Sequence, residues 1–87
     1  MNLYIVALKD RAADLYGKPF FVRTTAEAIR SLTDEANNTE SSINKHPEDY
    51  DLYQIGTFNE ETGEVNGVTG GGPMLLVRAQ DLIRSTP

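Results

Sequence analysis

Six consecutive residues near the N-terminus, Leu3-Tyr4-Ile5-Val6-Ala7-Leu8, are all apolar. Their β-favouring composition predicts a strand, and side chains alternate across a strand. Leu3, Ile5 and Ala7 then occupy one face, and Tyr4, Val6 and Leu8 the other. A strand that is apolar on both faces belongs at the centre of a sheet, covered on both sides or covered on one side by a partner chain. The whole chain has 87 residues, 39% of them hydrophobic. A single domain of this size buries roughly 60–65% of its unfolded surface, enough for one modest core. One helix can cover only one of the two faces, so the sequence predicts a homodimer that buries part of the sheet.

The rest of the chain supplies the other elements of an α+β domain spanning residues 1–87. Phe20-Phe21-Val22-Arg23, after a turn bracketed by Gly17 and Pro19, reads as a second strand. Thr24 with Glu27 three residues on is a capping box. Ala28, Ile29, Leu32 and Ala36 follow at helical spacing, which predicts a helix over about 25–36 with Ile29 and Leu32 beneath the sheet. Asn37-Asn38 supplies a stop, because Asn tolerates the left-handed conformation. Residues 39–49 are polar and read as a loop. Tyr50 to Phe58 is the next strand. Strict alternation puts Tyr53, Ile55 and Thr57 on one side, and Gly56 marks a bulge or a close contact. Asn59 to Gly63 reads as a hairpin connection and 64–68 as a short edge strand. Residues 69–73, with Gly70-Gly71-Gly72, form a flexible connector. Met74 to Val77 is a strand or the start of a helix. The expected architecture is a small antiparallel sheet of about four or five strands with one helix on one face.

Composition narrows the functional classes. With no cysteine, disulfides and thiolate metal sites are excluded. No apolar run reaches the roughly 20 residues of a membrane span. The apolar N-terminus has no basic leader or cleavage site and reads as a strand and not as a signal peptide. The net charge of −5 argues against wholesale coating of nucleic acid. Its distribution is uneven: residues 1–30 carry five basic and three acidic side chains, 31–64 one basic and nine acidic, and 65–87 two basic and one acidic. Should the fold bring the two ends together, one face becomes cationic; the alternative is ordinary surface charge.

Candidate chemistry is sparse. His46 is the only histidine. Nucleophilic catalysis would need an activated Cys or Ser beside it, and a metal site further ligands. His46-Pro47-Glu48-Asp49 reads instead as a structural turn or partner surface, with the carboxylates of Glu48 or Asp49 bonding backbone donors. The pairs Asp34/Glu35, Glu48/Asp49 and Glu60/Glu61 fall at a helix end or in turns, which suits solvated surface better than a two-metal nuclease. The Gly70–Gly72 run is followed by Pro-Met-Leu, not by the Lys and Ser/Thr of a phosphate loop. No catalytic residue, metal or cofactor is expected. Aromatic residues interleaved with cations, by contrast, are the ingredients of single-stranded DNA binding. Lys9, Arg11, Lys18, Arg23 and Arg30 are the candidate phosphate contacts. Tyr16 and Phe20, flanking Gly17-Lys18-Pro19, are the candidate stacking residues. Most other aromatics are expected in the core.

Pro19-Phe20-Phe21-Val22, Ala28-Ile29-Arg30, His46-Pro47-Glu48-Asp49-Tyr50 and Leu52-Tyr53-Gln54-Ile55-Gly56-Thr57-Phe58 together carry a resemblance. Over about residues 1–64 the chain resembles the small nonstructural protein of gokushoviruses, tailless single-stranded DNA phages of the Microviridae. The resemblance implies a replication accessory acting in the host bacterial cytoplasm, at the switch from double-stranded replicative forms to single-stranded genome synthesis. It supplies no catalytic residues. Three roles follow as expectations: a single-stranded DNA binder using the basic N-terminal region, with the acidic middle on the opposite side; an adaptor that binds the replication initiator or a host replication factor without touching DNA; and, ranked last, a minor virion component.

Overall fold

The structure is a computed structural model describing residues 2–84. Met1 and residues 85–87 of the expected single domain lie outside the described residues. The elements are β1 (Asn2–Asp10), β2 (Leu15–Tyr16), β3 (Phe20–Val22), α1 (Thr25–Ala36), α2 (Ser42–Lys45), β4 (Tyr50–Asn59), β5 (Val65–Gly67) and β6 (Met74–Arg78), with 3-10 turns at Pro47–Asp49 and Ala79–Leu82.

The two-sided apolar strand lies where its composition requires. β1 and β4 pair antiparallel along their whole lengths and form the middle of the sheet. β3 and β2 follow one another along the outer edge of β1, and β6 and β5 along the outer edge of β4. The sheet is therefore four ribbons wide but has six strands, more than the four or five expected. The unexpected one is β2, two residues long and defined by its pairing with Lys9 and Asp10. The turn before it is built by Asp10, whose Oδ1 accepts from the backbone N–H groups of Ala12 and Ala13 at 3.0 and 3.3 Å. Met74 to Val77, open between strand and helix, pairs with β4 as strand.

One face of the sheet carries the core. Val6, Val22 and Leu52 from the strands pack with Ala28, Leu32 and Ala36 of α1, and Ile43 and Ala79 complete the cluster. α1 begins as the capping box requires: the Thr24 hydroxyl accepts from the Glu27 N–H at 3.2 Å. Leu32 is buried and Ile29 is half-buried against the core. The helix does not stop by a left-handed residue, since Asn37 has φ −100°. Its side chain stops it instead. Nδ2 donates to the carbonyls of Thr33 and Leu82 at 2.7 and 2.9 Å, and Oδ1 accepts from the Arg84 N–H at 2.8 Å.

Residues 39–49 are not the loop expected from their polarity. Ser41 caps α2, its hydroxyl accepting from the Ile43 N–H at 3.1 Å. Asn44 Nδ2 ties the segment to the Ala36 carbonyl at 2.8 Å. A single buried side chain, Ile43, anchors it, too little to create a periodic signal.

The strand register also departs from strict alternation. Ile5 opposes Gly56 but Val6 opposes Gln54, so Ile55 is the extra residue of a β-bulge. The bulge places Tyr53 and Phe58 on the same face, opposite Ala7 and Leu3, instead of on opposite faces. Gly56 beside it is also a close contact: a Cβ there would stand 2.5 Å from the Asn66 carbonyl oxygen. The segment joining β5 to β6 has Gly70, Gly71 and Gly72 at φ 93°, 89° and 75°, a succession that favours glycine at each position. No described helix is long and apolar enough to cross a membrane.

Candidate nucleic-acid interface

All the helical elements of the core lie on the Val6 side of the sheet. The other face has no described helix over it, and the strand register fixes what it displays. At one end, Tyr16, Lys9, Asp51 and Arg78 lie in line across β2, β1, β4 and β6. Next come Ala7, Tyr53 and Leu75. Then follow Phe21, Ile5 and Gly56, and finally Leu3, Phe58 and Val65. Ile5 and Ala7 are buried without belonging to the helix-side core, so their shielding comes from neighbours on this face.

The aromatic side chains form two edge-on pairs. Tyr16 and Tyr53 have ring centroids 5.5 Å apart, and Phe21 and Phe58 5.8 Å apart. Tyr53 opposes Ala7 and Phe58 opposes Leu3, four residues along β1, so the pairs are about 13 Å apart at strand rise. Tyr16 is 43% exposed and Phe21 52%. Lys9 Nζ lies 5.4 Å from the Tyr16 ring centroid and 3.3 Å from Asp14 Oδ1. The hydrogen bond and charge of Asp14 raise the Lys9 pKa above its ordinary value. Asp14 is held for this contact at φ 57°, a left-handed conformation that Asp tolerates.

Arg11 ties the acidic turn to the sheet. Its backbone N–H donates to the Asp49 carbonyl at 2.7 Å, its Nη1 donates to the Glu48 carbonyl at 3.4 Å, and its Nε is 3.9 Å from Asp51 Oδ2. The Glu48 and Asp49 contacts with Arg11 thus run through backbone carbonyls, not through the carboxylates expected from the sequence. His46 Nδ1 lies 3.9 Å from Glu48 Oε1. His46, Glu48 and Asp49 bring one ligand atom each within 4.8 Å of one another on this turn, and His46 and Glu48 are exposed.

The fold divides the sequence-derived candidates. Lys9 and Tyr16 meet on the uncovered face, with Arg11 at its end. Lys18 is exposed in the connection between β2 and β3 along the outer edge of β1. Arg23 follows β3 and is paired with Glu60 Oε1 at 3.3 Å. Phe20 opposes Val6, so it belongs to the helix-side register, and Arg30 is exposed on α1 in the other layer. The acidic middle is not set apart from the bases as expected: Glu60 touches Arg23 and Asp51 touches Arg11. Sequence reasoning missed Tyr53, Phe21, Phe58 and Arg78. The odd-numbered residues of β1 pointed to a second apolar face, but the register that joins these four to it is not in any local pattern.

The fold and this face define a small α+β protein with one helical layer and an aromatic sheet surface edged by cations. A family model described as Phage ORF5 protein matches residues 3–82, and the chain belongs to that bacteriophage protein family. No curated protein and no solved structure matches it.

Proposed function

We propose that this protein is a non-enzymatic accessory of phage DNA replication that binds single-stranded DNA on the uncovered face of its sheet. The observation that carries the reading is the Tyr16–Tyr53 pair, Tyr16 exposed and Tyr53 half-buried, with the Lys9 ammonium beside it. Aromatic faces accept the bases of an unpaired strand whatever their sequence, and the adjoining cations accept its phosphates. A duplex keeps its bases stacked on one another and gains nothing from the tyrosines. The charge of the face favours DNA over a second copy of the chain. Lys9, Arg11 and Arg78 suit phosphates, whereas a face-to-face dimer would bury some of them against apolar side chains or against each other. The gokushovirus resemblance of the sequence supports extending this reading to the host cytoplasm and to the switch to single-stranded genome synthesis.

Fluorescence anisotropy with an oligo-dT strand and a matched duplex tests the reading. Weak binding to the single strand, weaker binding to the duplex and a log K against log salt slope of about −2 to −3.5, for three to five neutralised phosphates, are expected. Tyr53→Leu lowers affinity about fivefold or more while leaving the slope unchanged. No binding at low salt, or a flat salt response, overturns the reading in favour of an adaptor that meets the replication initiator or a host factor through protein contacts, with the turn at Glu48 and Asp49 the first surface to test.

A further inference from the structure

The two aromatic pairs are alike in shape but not in charge. Beside Phe21–Phe58, the nearby cation Arg23 is engaged by Glu60 at 3.3 Å. Beside Tyr16–Tyr53, three cations, Lys9, Arg11 and Arg78, surround one acid in the register, and among the described residues only Arg11 is paired with it. Asp51 is 4% exposed, lies between Lys9 and Arg78 in the register, and has Arg11 Nε at 3.9 Å. Lys9 and Arg78 are each one strand spacing from Asp51, so their backbones are about 10 Å apart on the same face. The Asp51 carboxylate is buried and paired with Arg11, so an approaching strand meets the cations more than the acid. Arg78 has no ion pair among the described residues. Lys9 has only Asp14, which is 85% exposed and readily released.

Resting on the single-strand reading, we infer that the Tyr16–Tyr53 end is an anchor for one nucleotide, its base on the tyrosines and its phosphate on Lys9 and Arg78, whose charges are not taken up by the buried Asp51. The Phe21–Phe58 end, about 13 Å away, takes a base by stacking alone. The strand is therefore gripped electrostatically at one end of the face.

The test is the salt dependence of oligo-dT binding by wild type, Arg78→Gln, Arg78→Lys and Arg23→Gln, with thermal melts of each. Arg78→Gln is expected to reduce the magnitude of the slope by about 0.7, one phosphate contact on a single strand. Arg78→Lys, which keeps the charge, retains the wild-type slope. Arg23→Gln changes it less than Arg78→Gln does. Should Arg78→Gln melt early, Lys9→Gln replaces it, with the same loss expected. Wild-type binding with slopes unaltered in Arg78→Gln and Lys9→Gln, or lowered equally by Arg23→Gln, overturns the anchor and leaves the single-strand reading standing. No binding by the wild type overturns both.

Discussion

Gly56 is the residue at which the sheet has no room. A methyl group there would meet the Asn66 backbone oxygen at 2.5 Å, and backbone cannot swing aside. Gly56→Ala is expected to destabilise the protein by about 1–3 kcal/mol and to loosen β5 from β4, read as a lower denaturation midpoint and faster amide exchange at β5. The sequence identified Gly56 as a bulge or a close contact, and it is a close contact beside a bulge. The consequence for its neighbours was not legible, because one extra residue at Ile55 inverts the side-chain alternation of everything after it. Asp14 acts at the same scale. It raises the Lys9 pKa, so its contribution to stability is complete below the ordinary lysine value of 10.5 and is lost as pH rises past the shifted one. Asp14→Asn should therefore lower the melting temperature by a small amount that stays constant from about pH 6 to 9.

Among the elements, α1 was the most legible, since a cap, a box and four spaced apolar residues all agree on it. Leu32 is its central contact with the sheet, 5% exposed. Leu32→Ala is expected to cost about 2–5 kcal/mol in denaturant titration, much of the stability of a domain this small. A change below about 0.5 kcal/mol would remove α1 from the core. The C-terminal end of the helix was harder to read. Asn37 ends it by reaching across the chain to Leu82 and Arg84, contacts 45 and 47 residues distant that no local pattern contains. Asn37→Ala should thus release the 3-10 turn at Ala79–Leu82, seen as loss of amide protection around Arg84. α2 escaped notice for the same reason: its capping serine is local, but its anchors, Ile43 and Asn44, act only once the core exists.

Over the whole molecule, the apolar face of β1 predicted a partner chain. The structure meets much of that requirement within one chain, for Ile5 and Ala7 are buried in the monomer. What stays exposed there is Tyr16 and Phe21 with the aliphatic Leu75 and Val65, and the proposed function uses the aromatic part and the charge at its end. DNA and a second copy would compete for it. Sedimentation with and without oligo-dT separates them: under the single-strand reading, bound complexes carry one chain of 9.6 kDa per site, and a dimer that DNA leaves intact would count against it. Legibility ended at this scale, because the sequence supplied strands and a helix but not which short strands share an edge.

Under the single-strand reading, that sharing has a consequence for how copies of the protein would occupy a long genome. Neither flank of the sheet offers a continuous strand. One is broken between β2 and β3 by Gly17, Lys18 and Pro19, the other between β5 and β6 by the glycine run. Interrupted flanks give a neighbouring molecule too little backbone to add to. Copies bound side by side cannot extend one another's sheets into a filament. Titration of a long single strand should accordingly be non-cooperative, with proteins settling as separate beads and bare DNA between them accessible to a polymerase.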